Sequence, residues 1–216
     1  MVQRRATGDR LAYFSDAVFA VIIINMVLQL KPPQYPTLAG LLTLWPTVLS
    51  YAVSYLFIAI VWVNQHHLMR LAENPPPRLI WINFAHVFMV SLVPFSTAWV
   101  AHTRLAAVPV SVYAAVFVLV NLAYLPFERH ALAQATDEEI STRTRRIARV
   151  HSSLTLGAFG TATLVALKFP SWGFGLVCCA LLVYLRPEPL EIGDETAGRV
   201  ASKRELKPRG ACRSET

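Results

Sequence analysis

Charge is what this sequence has least of. Only 15% of its 216 residues are Asp, Glu, Lys or Arg, against 55% hydrophobic, whereas a soluble domain carries about a quarter charged residues. An ordinary soluble enzyme or binding domain is excluded on that ground. Reactive groups are scarcer still. Within the long apolar segments there is one acidic residue, Asp16, so no pair of carboxylates is available for acid–base chemistry. No Gly-rich phosphate loop, His-Glu zinc spacing or Gly-x-Ser-x-Gly elbow occurs. Cys178 and Cys179 are adjacent in an apolar segment and Cys212 lies in a polar tail, which is neither a metal-ligand spacing nor a disulfide framework. Catalysis, a bound metal and a resident cofactor are therefore not expected.

What the chain has instead is long hydrophobic runs. A helix needs roughly 20 apolar residues to cross ~30 Å of hydrocarbon. Six segments qualify, at about 11–30, 40–63, 79–101, 107–127, 147–167 and 171–186. Pro-rich breaks at Lys31 to Pro36, Asn74 to Pro77 and Lys168 to Pro170 separate them. Arg4, Arg5 and Arg10 before the first run resemble the start of a signal peptide. The run ends in Lys31-Pro32-Pro33 without a small-residue cleavage site, which makes it a retained anchor. Thr136-Asp137-Glu138-Glu139 reads as a capped helix start before the fifth run.

Basic residues then set the orientation. With the N-terminus inside, Arg4, Arg5, Arg10, Arg70, Arg78, the arginines between 129 and 149, and every basic residue from Arg186 onward fall on the inner side. Only Lys31, Arg104 and Lys168 fall outside. The net charge of +7 is thus a product of topology, and nucleic acid is not an expected partner. The sequence predicts an all-α integral membrane protein of the cell membrane, with six transmembrane helices and both termini cytoplasmic. Residues 1–186 form the membrane domain and 187–216 a polar, disordered tail.

The first helix carries the information. Asp16 stands about 8 Å into it, where a carboxylate needs a partner. Partners must enter from the same side at similar depth. Asn83 and His86 do so three residues apart on one face of the third run, and His66 and His67 end the second. An inner polar layer of Arg10, Ser15, Asp16, His66, Asn83 and His86 follows. It either locks the first helix to its neighbours or relays protons through Asp16 and the histidines. Beyond it, Val21, Ile24, Asn25 and Leu28 fall within about 100° of one another at 100° per residue, roughly opposite Ser15 and Asp16. Periodicity alone assigns that stripe to lipid or helix packing as readily as to a pore.

Two further patterns concern packing. Pro94 in the third run predicts a kink, with Ser91 nearby to satisfy the freed carbonyl. Ser153, Gly157 and Thr161 form a small-residue row suited to close helix approach.

Arg10-x-x-x-Phe14-Ser15-Asp16 resembles the R-x-x-x-F-S-D signature of the transmembrane protein 175 family of potassium channels. Trp62-Val-Asn64-Gln-His66-His67 is similar to that family's Trp-x-x-His-His region, and Asn83 with Leu92-Val-Pro94-Phe95 to its Asn…Leu-x-Pro-Phe segment. The motifs follow in order over residues 10–97, and the later half matches only in hydropathy and length.

The resemblance implies a single-repeat prokaryotic member. It would be a homotetramer in the lipid membrane, with the first helix of each subunit around a central pore for potassium and other monovalent cations. Its apolar gate rings fall at Val21, Ile24 and Leu28, with Asn25 beside them. Arg10, Ser15 and Asp16 fall in its inner hydrogen-bond network. Three departures stand out: Ile24 replaces a frequent hydroxyl, Val21 is smaller than the usual Leu or Ile, and Gln65 takes the place of the first His of the pair. Two rivals remain at this point. One is a proton-coupled transporter or proton channel using Asp16 and His86; the other is a non-conducting scaffold binding partners through its tail.

Overall fold

The computed structural model describes residues 2–71, 76–134 and 142–184. Among the described residues every regular element is a helix: α1 (Val2–Leu28), α2 (Leu38–Leu42), α3 (Trp45–Leu71), α4 (Pro77–Val90), α5 (Val93–His102), α6 (Ala107–Gln134), α7 (Thr142–Ala166) and α8 (Pro170–Tyr184). By length and composition four stretches are able to cross a membrane: Arg10–Leu28, Trp45–Met69, Pro77–His102 and Ala107–His130. The chain is an all-helical, multi-pass membrane protein. α8 has 15 residues, about 22 Å of rise. The tail from 187 onward and the cap expected at Thr136 to Glu139 lie outside the described residues.

α6 is the hub, packing against α3, α4, α5, α7 and α8. Its Phe117 stacks on Phe57 of α3 with centroids 3.8 Å apart, and Phe159 of α7 meets Phe117 edge-on at 5.4 Å. Aromatic contacts of this kind contribute about 0.5–1.5 kcal/mol each. Inside lipid, where apolar burial alone gives little drive, such packing and interhelical hydrogen bonds hold helices together. A buried hydroxyl chain adds to them. Thr97 Oγ1 donates to the Val93 carbonyl at 2.7 Å, so Ser54 Oγ donates to Thr97 (2.7 Å) and Tyr113 OH to Ser54 (2.8 Å). That chain ties α3, α5 and α6.

Several sequence expectations shift. The second apolar run ends at residue 63, but α3 continues to Leu71, so His66 and His67 lie within it. The fourth ends at 127, but α6 runs through Pro126 to Gln134 and brings Glu128 into the bundle. Pro94 does not kink a continuous helix. The helix is interrupted by a turn at Ser91 and Leu92, both still in the αR region, and Pro94 sits in the first turn of the next helix, where its missing N–H costs nothing. Ser91 Oγ donates to the Phe88 carbonyl at 2.7 Å, not to that of Val90, the one Pro94 frees.

The row of Ser153, Gly157 and Thr161 faces outward from the protomer, and a Cβ on Gly157 would meet nothing within 4 Å. α7 turns Ser152, Thr155, Phe159, Ala162 and Ala166 inward instead. The close approach is one helix later. A Cβ on Gly173 would stand 2.5 Å from Ala166 Cβ and 2.8 Å from its nitrogen, so only glycine admits this α7–α8 contact.

Candidate functional site

α1 divides into two faces. Leu11, Ser15, Phe19, Ile22 and Met26 recur at helical spacing and are buried against the bundle. Val21, Ile24 and Leu28 point the other way and are 63%, 57% and 77% exposed. Asn25 shares the open face, where its Oδ1 accepts from Gln29 Nε2 at 3.3 Å. Only 28% of the α1 span is buried in the protomer, against 56% of the α6 span. α1 is therefore the least covered of the four spans, and its open face is apolar apart from one amide.

The buried face is tied down near Arg10 by three different contacts. Ser15 Oγ donates to the Leu11 carbonyl (3.0 Å) and accepts from Asn83 Nδ2 of α4 (2.9 Å). Asn83 Oδ1 in turn accepts from Gln65 Nε2 of α3. Ser15, Gln65 and Asn83 are all buried, so the chain runs through a water-poor interior. At the next residue of α1, Asp16 Oδ1 accepts from the Trp62 indole N–H at 2.7 Å. Phe14 meets Phe84 of α4 edge-on, with centroids 5.2 Å apart.

The expected inner layer is thus brought together in part. Ser15 and Asn83 are bonded directly. His66 is half-buried against Trp62, the donor to Asp16, at 5.4 Å between ring centroids. Arg10 is exposed at the base of the stripe. His86 faces elsewhere. It is fully buried beside Tyr124 and Phe127 of α6, with ring centroids 5.6 and 6.4 Å away. Asn83 and His86 share a helix, but one serves α1 and α3 and the other α6, so Asp16 and His86 do not form a pair.

Sequence reasoning left three participants out. Trp62 and Gln65 are about one turn apart on α3 and supply its two donors to the layer, to Asp16 and to Asn83. A glutamine just past the end of an apolar run was the available signal, because a membrane amide seeks a partner. Glu128 escapes the sequence reading because it lies one residue past the fourth apolar run, which ends at 127. It is buried and accepts from Ser152 Oγ of α7 at 3.0 Å.

Known proteins resemble this chain over most of its length. The family model for the endosomal/lysosomal potassium channel TMEM175 matches residues 10–94, the stretch holding α1 from Arg10 onward, Trp62, Gln65 and Asn83. A protein named as a potassium channel from Chamaesiphon minutus is 33% identical over 199 residues, covering 84% of this chain and 94% of that one. Another so named, from Chryseobacterium sp., is 28% identical over 183 residues with the same coverage. The crystal structure of a lysosomal potassium-selective channel TMEM175 homologue from Chamaesiphon minutus superposes with a TM-score of 0.74 at 27% identity. The match covers 84% of this chain and 98% of that one.

Proposed function

Because the chain belongs to the TMEM175 potassium channel family, we propose that four copies surround a potassium-permeable pore lined by α1 of each. The family is one of channels, and the chain is not an enzyme. The observation that carries the proposal is the open face of α1. A protomer that buries Phe19, Ile22 and Met26 yet leaves Val21, Ile24, Asn25 and Leu28 uncovered has a face awaiting company. Hydrocarbon would suit the three aliphatic residues but not the Asn25 amide. A fourfold axis suits both, since each stripe becomes a set of rings around one path.

Rings of Val21, Ile24 and Leu28 close such a path by dewetting and open it when the helices tilt. Without a carbonyl filter, discrimination between potassium and sodium rests on dehydration and is modest. The tie from Ser15 to Asn83 and from Asp16 to Trp62 holds the inner end of each α1. Six spans, cytoplasmic termini, placement in the cell membrane and a membrane domain over residues 1–186 complete the reading.

Potassium flux into liposomes at symmetric pH tests it. Purified protein should pass potassium, and Val21→Trp and Leu28→Trp should each block it. Flux that appears only under a proton gradient would replace the proposal with proton-coupled transport.

A further inference from the structure

At the end of the bundle opposite Arg10, α1, α3 and α5 do not close on one another. Between them lies a cavity of about 200 Å³, larger than the ~150 Å³ apolar void that admits benzene. Its walls come from Met26 and Leu30, Leu44 and Tyr51, Pro94 and Ala101. It runs lengthwise, for Pro94 precedes His102 along α5 by about 12 Å of helical rise.

Polar groups sort by depth. Low in the cavity, the hydroxyls are already engaged: Thr97 donates to the Val93 carbonyl (2.7 Å) and Ser50 to that of Thr47 (3.2 Å). The mouth holds Lys31 and His102, both exposed. His102 Nδ1 lies 2.9 Å from the Ala98 carbonyl, which can only accept, so Nδ1 carries a proton and the neutral ring keeps Nε2 as an acceptor. Lys31 has no carboxylate nearby in the chain. Glu73 is the one acidic residue between Asp16 and Glu128, and it follows the opposite end of α3 in sequence.

A cleft apolar along its length, with a cation and an acceptor at its mouth, matches a hydrocarbon chain on an anionic head that bears hydroxyls. We infer that this cavity binds an anionic phospholipid with a hydroxylated headgroup. One acyl chain lies along Met26, Tyr51 and Pro94, the phosphate meets Lys31, and a headgroup hydroxyl donates to His102 Nε2. The volume is below the roughly 300 Å³ of a drug-sized pocket, so one chain enters and the second stays in bulk lipid. Any interfacial lysine meets phosphates; a chain drawn between helices is what distinguishes a site.

The test is photolabelling of the full chain in phosphatidylcholine vesicles that contain a minor fraction of phosphatidylglycerol with a diazirine at one chain end. Label should map to residues 26–30, 44–51 and 94–101, about tenfold above that from phosphatidylcholine with the same diazirine chain, the factor expected of one charge-assisted contact. Lys31→Glu should erase the excess, His102→Phe should lower it about fivefold, and Lys168→Glu should leave it unchanged. Equal labelling by the two headgroups, label spread over the outer faces of α4 and α8, or full labelling of Lys31→Glu would each overturn the inference. Lys31 is exposed, so its substitution does not threaten folding. Labelling is read without ion flux, so its outcome is independent of the channel proposal.

Discussion

The amide pair under α1 makes a prediction whose sign is unusual. Gln65 donates to Asn83 Oδ1, while its own Oε1 is buried with no partner among the described residues. Asn83→Leu keeps the side chain's size, but it removes the bond to Ser15 and strands the whole Gln65 amide. Lost interhelical bonds of about 0.6–1.7 kcal/mol and a stranded buried group of about 1–3 kcal/mol give a destabilisation near 3 kcal/mol. Gln65→Leu strands only Asn83 Oδ1 and removes an unsatisfied oxygen, for a net loss near 1 kcal/mol. In the double variant both stranded groups disappear, and Ser15 still donates to the Leu11 carbonyl. The double variant should therefore lose about 2 kcal/mol, less than the single Asn83→Leu. Equilibrium unfolding of purified protein by detergent titration measures all three. Losses that add within about 0.5 kcal/mol would refute the coupling, and with it this account of how α1 is held.

Three other perturbations test separate parts of the structure. Leu28→Ala and Val21→Ala shorten the two most open residues of the apolar stripe on α1, and each should raise resting potassium leak in liposomes; unchanged leak in both would remove the stripe from the gate. Asp16→Ala takes away the acceptor for the Trp62 indole at 2.7 Å, and should reduce assembled protein on size exclusion by more than it lowers flux per assembled channel; full assembly would mean that Asp16 does not anchor α1. Gly173→Ala drives a methyl into Ala166 Cβ at 2.5 Å and Cα at 2.6 Å, so it should cost about 1–3 kcal/mol. Ala166→Gly should not rescue it, because the backbone is struck as well; thermal melts of the single and double variants decide.

How much of this was legible follows from what each residue had to satisfy. The α1 faces were readable because one helix has one period, and a stripe of Val21, Ile24 and Leu28 opposite Ser15 follows from 100° steps alone. The Ser15–Asn83 bond was readable as a layer, because depth from the helix entry is set by rise per residue. Which neighbour each polar residue chooses was not. Asn83 and His86 lie three apart, close enough to be assigned one face, yet a rotation of some 60° between them sends one to α3 and the other to α6. Helix ends failed for a related reason. Pro126 signals a stop in isolation, but a bundle that packs Phe127 and Glu128 carries the helix past it. Gly157 and Gly173 are equally small in sequence, and only tertiary packing selects Gly173 for the close contact.

The two ends of α1 are held by different means. Toward Arg10 its contacts are directional: a hydroxyl–amide chain, an indole–carboxylate bond and an edge-on ring pair. Hydrogen bonds of this length tolerate little sliding, so this end is a fixed point. Toward Leu28 the helix meets its neighbours through Ile22 and Met26 and then borders a cavity. Apolar contacts are non-directional, so this end slides more readily than the bonded one, with or without an acyl chain in the cavity. A rod fixed at one end and loosely packed at the other moves by tilting about the fixed end, and its displacement grows with distance from it. Of the three apolar residues, Leu28 lies farthest from Asp16, so the same tilt moves Leu28 more than Ile24 and Ile24 more than Val21. A pore opened by such a tilt widens first at Leu28, which leaves Val21 as the last ring to clear.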